Sequence, residues 1–232
     1  MESYSSGDLM TRTLLITGAS TGIGAATARA AASAGWNVAL LARSQDALER
    51  LAGEIGDTAL ALPCDITDRG QLDKAVEQAV SHFGGLDAVY ANAGTGVSKP
   101  GIEKGDPEEW HTMIHLNVLA VLTTAHATLP HLRKTKGHFV VTGSKAGRDH
   151  LKGSVYGATK WFVQGFAGNL AEEMHEWGGR CTVITPGMVD TPFFDEPKPE
   201  KIQPEDVANA VVFALSQPDT AAVREIHIMP ND

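Results

Sequence analysis

Residues 13–24 read TLLITGASTGIG, and an alanine-rich segment follows as far as Ala34. The apolar start of this stretch predicts a buried strand, and the segment after the glycines predicts a helix. Free backbone N–H groups at the start of such a helix suit a phosphate. Gly18 permits the turn, Gly22 lets the backbone approach a pyrophosphate, and Gly24 lets the helix pack on the strand. The spacing is G-x-x-x-G-x-G, and a tight turn without a ligand remains an alternative.

Similar apolar runs follow along the chain, and each is separated from the next by a helical or polar segment. Further strands are predicted at Asn37–Ala42, Thr58–Leu62, Asp87–Ala91, Gly137–Thr142, Arg180–Thr185 and Val223–Ile228. Helices are predicted at Gln71–Phe83, from Pro107 to about Leu132, after Ser154 and at Pro204–Leu215. Continuously apolar strands that alternate with helices are typical of a parallel sheet covered on both faces. The sequence therefore predicts an α/β fold with a single-domain, doubly wound parallel sheet of about seven strands, a Rossmann fold.

Length and composition narrow the class of protein. The chain has 232 residues, a net charge of -9 and no basic run, which argues against nucleic acid and anionic membranes as partners. No apolar run approaches the ~20 residues needed to cross a bilayer, so we expect a soluble, cytoplasmic protein. Cys64 and Cys181 lie far apart without metal-type spacing, as in a reducing compartment. Residues 1–9 are polar and serine-rich, and we expect a disordered or foreign extension before a single domain at 10–232.

Two residues after the second and third strands bear on nucleotide binding. Enzymes that select NAD usually have an Asp or Glu after the second strand, where this chain has Arg43. A guanidinium can bind a 2'-phosphate, so Arg43 favours NADP, although a solvated arginine is the alternative. Asp65 follows the third strand and could accept from an adenine amino group. The alternative is that Asp65 is the N-cap of a helix from Thr67.

Three residues in the second half of the chain suggest acid–base chemistry. Ser144 follows the fifth strand, and in open α/β sheets ligands lie outside the carboxyl ends of the strands. Tyr156 and Lys160 are one helical turn apart, so the phenol and the ammonium share a helix face. A nearby cation lowers the pKa of a phenol, so the pair could transfer a proton near neutral pH. A surface tyrosine beside a solvated lysine is the alternative.

Other polar residues lie on the long helix and in the loop after the sixth strand. Asn117 is an amide among apolar neighbours, so it either satisfies backbone groups or orders a water. His111 and His115 are one turn apart and could ligate a metal, but the sequence shows no third ligand, so we predict no metal site. Residues Phe193 to Gln203 are rich in Pro, Lys and Glu and are predicted to form a lid or loop.

Taken in order, these motifs resemble the short-chain dehydrogenase/reductase family from about Thr13 to Pro230. The matching residues are Thr17-Gly18-x-x-x-Gly22-x-Gly24, Asp65, Asn92-Ala93-Gly94, Asn117, Ser144, Tyr156-x-x-x-Lys160, and Pro186-Gly187 with Thr191. The resemblance implies that the catalytic residues are Ser144, Tyr156, Lys160 and Asn117. It implies that the cofactor is bound by Gly18, Ser20, Thr21, Gly22, Ile23, Gly24, Arg43, Asp65, Ile66, Asn92, Ala93, Gly94, Tyr156, Lys160, Pro186, Gly187, Val189 and Thr191.

The chain departs from the family pattern at three positions. Ala91 stands at the first position of the family's Asn-Asn-Ala-Gly, and Gly143 replaces the usual serine before the catalytic one. Neither position takes part in proton transfer. Some NADP-dependent members have a basic residue before the second glycine, where this chain has Thr21, which weakens the preference for NADP.

The resemblance also implies an activity. We expect hydride transfer between NADP(H), with NAD as the less favoured cofactor, and a small alcohol or carbonyl compound, with Tyr156 as general acid/base. Lys160 would lower the pKa of Tyr156, and Asn117 would hold a water that relays a proton. A homotetramer or homodimer is expected to bury the helices that contain Asn117 and Tyr156. A dinucleotide-sensing regulator without turnover is the alternative from another class.

The substrate is less well defined by the sequence. Arg148, His150 and Lys152 lie between Ser144 and Tyr156 and could attract a carboxylate, although a solvated loop would look the same. Residues 153–160 and 225–230 are similar to the subgroup of 3-hydroxy acid dehydrogenases, which act on small hydroxy acids such as serine or 3-hydroxypropionate. A ketone or aldehyde reductase of broad scope is the alternative within the family.

Overall fold

The computed structural model describes residues 11–99, 101–194 and 196–231, so the predicted extension at 1–9 lies outside the described residues. Seven strands form one parallel sheet in the order β3-β2-β1-β4-β5-β6-β7. The strands are β1 Thr13–Thr17, β2 Asn37–Ala42, β3 Ala59–Pro63, β4 Ala88–Ala91, β5 His138–Thr142, β6 Arg180–Pro186 and β7 Glu225–Ile228. All seven predicted strands are confirmed, with ends that differ by one or two residues.

Helices cover both faces of the sheet. They are α1 Gly22–Ser33, α2 Gln45–Ile55, α3 Arg69–Phe83, α4 Pro107–Ile114, α5 Ala120–Thr135, α6 Val155–His175 and α7 Pro204–Ser216. Alternate residues of a strand point to opposite faces, so Leu15 packs under α3, α5 and α6, whereas Leu14 and Ile16 pack under α1, α2 and α7. The two cores confirm the predicted doubly wound sheet. The strand order reverses between β1 and β4, which is where such sheets bind ligands.

The long helix predicted from Pro107 contains a π-helical turn. The predicted long helix is confirmed from Pro107 to Thr135, and a π-helical turn, His115–Leu119, lies within it between α4 and α5. A π turn widens the helix locally and is frequent at functional sites. Here it contains Asn117, whose side chain is buried. The hydrogen bonds of that side chain join the π turn to Thr95 and to Thr159.

The sequence analysis found no apolar run long enough to cross a bilayer, and the same helical stretch corrects that statement. Within the described residues, Pro107–Thr135 has 29 residues and a window of mean hydropathy 1.3, enough by length and composition to cross a membrane. Its inner face, however, belongs to the core of the sheet, with Val121, Ala125 and Leu132 buried. Apolar residues on both sides of a core helix therefore account for this hydropathy.

Candidate active site

The glycine turn joins β1 to α1 and leaves the start of the helix open. Gly18 has φ +66°, and a Cβ there would lie 2.9 Å from the Ala93 Cα. Thr21, the N-cap of α1, makes no side-chain capping bond, and the first helical turn contains no acidic residue. A Cβ on Gly24 would lie 2.2 Å from the Gly18 carbonyl oxygen, so only glycine allows this close packing. The unpaired N–H groups at this helix start fit the phosphates of a dinucleotide.

The residues after β4 brace the turn from within. The hydroxyl of Thr17 accepts hydrogen bonds from the backbone N–H groups of Asn92 (3.0 Å) and Ala93 (3.1 Å). The side-chain amide of Asn92 donates to the carbonyl oxygen of Thr17 at 3.2 Å. Asn92 therefore fixes the shape of the glycine turn through β1.

Arg43 and Asp65 lie at the ends of neighbouring strands, as predicted. Hydrogen bonds from the backbone and the hydroxyl of Thr67 lower the pKa of Asp65 most, and the charge of Arg43 lowers it further, against the effect of burial. Helix α3 begins at Arg69, two residues before the predicted start, and its N-cap is Asp68, which accepts from the Gln71 N–H at 3.1 Å. The alternative that Asp65 is the helix N-cap is therefore wrong. Asp65 instead caps the turn before the helix, beside the exposed Arg43.

The segment after β6 lies over the glycine turn. A Cβ on Gly22 would lie 3.1 Å from the methyl carbon of Thr191, so this threonine packs directly against the start of α1. Val189 is buried and pairs with Ile202 in an isolated parallel bridge. The structure thus brings the sequence-predicted residues after β1, β4 and β6 to one edge of the sheet.

Ser144 and Tyr156 meet at the carboxyl end of β5. Ser144 caps a short 3-10 turn, where its hydroxyl oxygen accepts from the Ala146 N–H at 3.1 Å. Ser154 is the N-cap of α6 and accepts from the Gly157 N–H at 2.9 Å, which places Tyr156 in the first turn of the helix. Ser144 lies close enough to the Tyr156 phenol to lower the phenol's pKa.

Burial outweighs the effect of Ser144, so the pKa of Tyr156 is raised above its ordinary value. Lys160 is buried, and its Nζ lies 5.8 Å from the centre of the Tyr156 ring and donates to the Thr142 carbonyl oxygen at 2.8 Å. Loss of hydration lowers the pKa of Lys160 to about 8. The two side chains share a face as predicted. The expectation that Lys160 brings the phenol's pKa near neutrality is wrong for the chain alone, because burial dominates.

Asn117 uses its amide to hold backbone. Its Oδ1 accepts from the Thr95 N–H at 2.9 Å, and its Nδ2 donates to the Thr95 carbonyl oxygen at 2.9 Å and to the Thr159 hydroxyl at 3.1 Å. Of the two alternatives from the sequence, backbone satisfaction is confirmed. The predicted role of Asn117 in holding a relay water stays a prediction. The Asn117 side chain ties the loop after β4 to α6, on which Tyr156 and Lys160 lie.

Thr142, which the sequence analysis missed, links the two halves of the site. Its carbonyl holds Lys160, and its hydroxyl is hydrogen-bonded to the Tyr90 hydroxyl (2.8 Å) and the Asn92 Oδ1 (3.2 Å). The only sequence signal was its place at the end of β5, two residues before Ser144. One threonine therefore positions both the buried lysine and the residue that braces the glycine turn.

Two of the three basic side chains in the loop before α6 have partners within the protein. Arg148 donates from Nε to Glu225 Oε1 at 2.7 Å, and the two side chains form an ion pair on the side of β7. His150 stacks on Trp161, with ring centres 5.4 Å apart. The Arg148 guanidinium is thus paired with a carboxylate of the protein itself, and the attraction of a substrate carboxylate to this loop stays a prediction. Lys152 is exposed.

The two histidines considered as metal ligands lie on the helix surface, with ring centres 6.1 Å apart. Among the described residues, no group of three His, Cys, Asp or Glu side chains could hold a metal ion.

A glycine turn at the switch point of a parallel sheet, with a Ser–Tyr pair and a buried lysine beside it, defines a dinucleotide-binding oxidoreductase. The short chain dehydrogenase family pattern matches residues 12–201. An uncharacterized oxidoreductase of Staphylococcus epidermidis is 35% identical over 223 residues, 93% of this chain and 96% of that protein. The chain belongs to the short-chain dehydrogenase/reductase family, whose members bind NAD or NADP.

Solved structures agree with this assignment. An alcohol dehydrogenase from the archaeon Thermococcus sibiricus, complexed with 5-hydroxy-NADP, is 32% identical and superposes with a TM-score of 0.88, covering 95% of this chain and 97% of that one. A serine dehydrogenase from Escherichia coli is 30% identical, with a TM-score of 0.86 and coverage of 94% and 97%. Both likenesses extend over nearly the whole chain, so the fold assignment does not rest on the glycine turn alone.

Proposed function

We propose that the protein transfers a hydride between NADP(H) and a small alcohol or carbonyl compound, with Tyr156 as the general acid/base. The observation that carries this proposal is the placing of Tyr156 at the end of β5, near Ser144 and with the Nζ of buried Lys160 5.8 Å from the centre of its ring. These residues lie at the edge where the glycine turn opens, which is where parallel sheets bind their ligands.

The residues around this edge fit a nicotinamide dinucleotide. When bound, the nicotinamide supplies or accepts the hydride. The open start of α1 at Ser20–Gly24 would hold the pyrophosphate, Asp65 and Ile66 the adenine, and Asn92–Gly94 with Pro186–Thr191 the nicotinamide half. Arg43 supports NADP over NAD, because it offers a cation, and no carboxylate, at the end of β2. The NADP analogue bound by the Thermococcus sibiricus enzyme supports the same choice.

The protein's own groups account for the proton transfer. The hydroxyl oxygen of Ser144 accepts from the Ala146 N–H, so its hydrogen is free to be donated to Tyr156 or to a substrate oxygen. A raised pKa keeps Tyr156 protonated at neutral pH, so it is ready to donate a proton to a carbonyl being reduced. Lys160, with a pKa of about 8, is mainly a cation at pH 7 and stabilises the phenolate that remains.

The proposed substrate class is a small alcohol or carbonyl compound, with two candidates inside it. The likeness to the Escherichia coli serine dehydrogenase favours a small hydroxy acid. The ion pair between Arg148 and Glu225 favours an uncharged ketone or aldehyde, because it pairs one of the basic side chains that could bind a carboxylate. A panel of hydroxy acids, ketones and aldehydes separates the two.

A second copy of the chain is the proposed protein partner. Ile114, Leu119, Leu122 and Trp161 are large apolar side chains that are 37–47% exposed on the helices that contain Asn117 and Tyr156. A homotetramer or homodimer would cover them. Light scattering after size exclusion tests this proposal, and a monomer at micromolar concentration contradicts it. The buried free thiols of Cys64 and Cys181 support a cytoplasmic location.

Cofactor consumption is the test of the proposed function. The protein is mixed with each compound of the panel and with NADPH, NADH or their oxidised forms, and absorbance at the nicotinamide band is followed. We expect turnover with NADPH or NADP to exceed turnover with NADH or NAD. Cofactor binding with no turnover on any compound would instead support a dinucleotide-sensing regulator.

A further inference from the structure

Phe193 lies on the catalytic tyrosine. Its ring centre is 5.7 Å from that of Tyr156, with the planes inclined at 53°. Phe193 also occupies the space beside Gly96, where a Cβ would lie only 2.9 Å from its Cζ. The absence of a side chain at position 96 therefore makes room for the Phe193 ring. The ring joins the loop after β6 to the loop after β4, directly at the proposed proton donor.

The backbone around Phe193 is anchored to the cofactor edge. The Phe193 N–H donates to the Thr191 hydroxyl at 3.4 Å, and Thr191 packs against Gly22 in the glycine turn. Further along, the Lys198 N–H donates to Asp190 Oδ1 at 2.7 Å. The position of the ring is thus tied to the same segment that contacts the start of α1.

Packing in the hydrophobic core does not explain the position of the Phe193 ring. Phe193 is 46% exposed, so burial of the ring contributes little of the apolar free energy that a core phenylalanine provides. Its described ring contacts are Tyr156, Gly96 and Phe194, the last with ring centres 5.2 Å apart. A large apolar ring held over a proton donor limits what can approach that donor.

We propose that Phe193 determines substrate size, by confining the larger substituent of the carbonyl compound that Tyr156 protonates. This inference rests on the proposed function. The ring occupies space next to the phenol, so a bulky substituent has to displace it, whereas a methyl or ethyl group does not. Gly96 contributes to the same size limit, because a side chain at position 96 would displace the Phe193 ring from the Tyr156 phenol.

The first test compares 2-butanone with acetophenone as substrates of the full-length enzyme with NADPH. Shortening Phe193 in two steps, Phe193→Leu and Phe193→Ala, is expected to raise the acetophenone to 2-butanone ratio of kcat/KM progressively, by at least about tenfold for alanine, since a few methylene groups in a pocket are worth this much. Phe194→Ala is the matched control, because Phe194 contacts Phe193 edge to face, and its ratio is expected to stay within about twofold. A ratio that is unchanged in Phe193→Ala overturns the inference.

The second test uses the contact with Gly96. In the wild-type background Gly96→Ala must move the Phe193 ring, so we expect the substrate ratio to change by at least about threefold. In the Phe193→Ala background the same substitution has no ring to displace and is expected to leave the ratio unchanged. Equal effects in both backgrounds would show that position 96 acts independently of Phe193 and would contradict the proposal.

A third readout needs no turnover. Tetranitromethane nitrates accessible phenols, and mass spectrometry locates the product on Tyr156. Phe193→Ala is expected to speed nitration of Tyr156 several-fold, and Phe194→Ala is not. An unchanged nitration rate overturns the inference whatever the turnover. If wild-type enzyme reduces no carbonyl compound, the proposed function fails, and faster nitration would still establish that Phe193 covers the phenol.

Discussion

Replacing the buried Lys160 should stabilise the folded protein at neutral pH, and the same replacement should remove activity. Burial lowers the pKa of Lys160 from 10.5 to about 8, and at about 1.4 kcal/mol per pH unit the buried cation costs about 3 kcal/mol at pH 7. Lys160→Met removes this cost and also the hydrogen bond to the Thr142 carbonyl oxygen, which contributes about 2 kcal/mol for a charged donor. The variant is therefore expected to be about 1 kcal/mol more stable at pH 7.

The sign of this difference should reverse at alkaline pH. Between pH 8 and 10.5 the unfolded chain keeps the proton on Lys160 and the folded chain has lost it, so wild-type stability rises with pH in this range. Lys160→Met has no such group and does not rise with it. From pH 7 to 9.5, wild type should therefore gain about 2 kcal/mol relative to the variant. Other titrating groups are common to both proteins and cancel in the comparison.

Urea unfolding of cofactor-free protein at pH 7 and pH 9.5 measures both effects. Lys152→Met is the matched control, since Lys152 is exposed in the loop before α6, and it should follow wild type at both pH values. A stability difference between Lys160→Met and wild type that does not change with pH would refute the reasoning. It would show that Lys160 is not held in the fold as a poorly hydrated cation.

Two further predictions concern the cofactor edge. Arg43→Ala should lower the ratio of kcat/KM for NADPH over NADH by at least about tenfold, because it removes the cation proposed for the 2'-phosphate, and an unchanged ratio would show that Arg43 does not contact this group. Thr142→Val should destabilise the fold by about 1–3 kcal/mol, because it removes a hydrogen-bond partner of the buried Tyr90 hydroxyl and of Asn92. Combining it with Tyr90→Phe should recover part of that loss in urea unfolding, and fully additive losses would contradict the described network.

Local pattern was enough to predict most of the sheet and the approximate place of the site. Strands such as Asn37–Ala42 are continuously apolar because both faces of the sheet are covered, and the glycines of the turn at 18–24 follow directly from β1. Helix α2, Gln45–Ile55, received no prediction, although its apolar spacing puts Leu48 and Leu51 in the core. Periodicity would have identified this helix.

Contacts between distant residues account for what the sequence analysis missed. The π turn contains Asn117, whose partners Thr95 and Thr159 are 22 and 42 residues away, so helical periodicity cannot reveal it. Arg148 pairs with Glu225, 77 residues later, because β7 lies beside β6 in the sheet. The pKa of a residue such as Tyr156 depends on how deeply the folded chain buries it, and spacing along a helix does not give this depth.

The catalytic role of one hydroxyl is the central claim, and Tyr156→Phe removes that hydroxyl alone. The measurement is the rate of NADPH consumption by the variant and by wild type on the best compound of the panel, with the cofactor dissociation constant determined in parallel. We expect the rate to fall by at least about 100-fold, because general acid–base catalysis contributes this much, while the cofactor dissociation constant stays within about threefold. A variant that turns over at a rate near that of wild type would contradict the account.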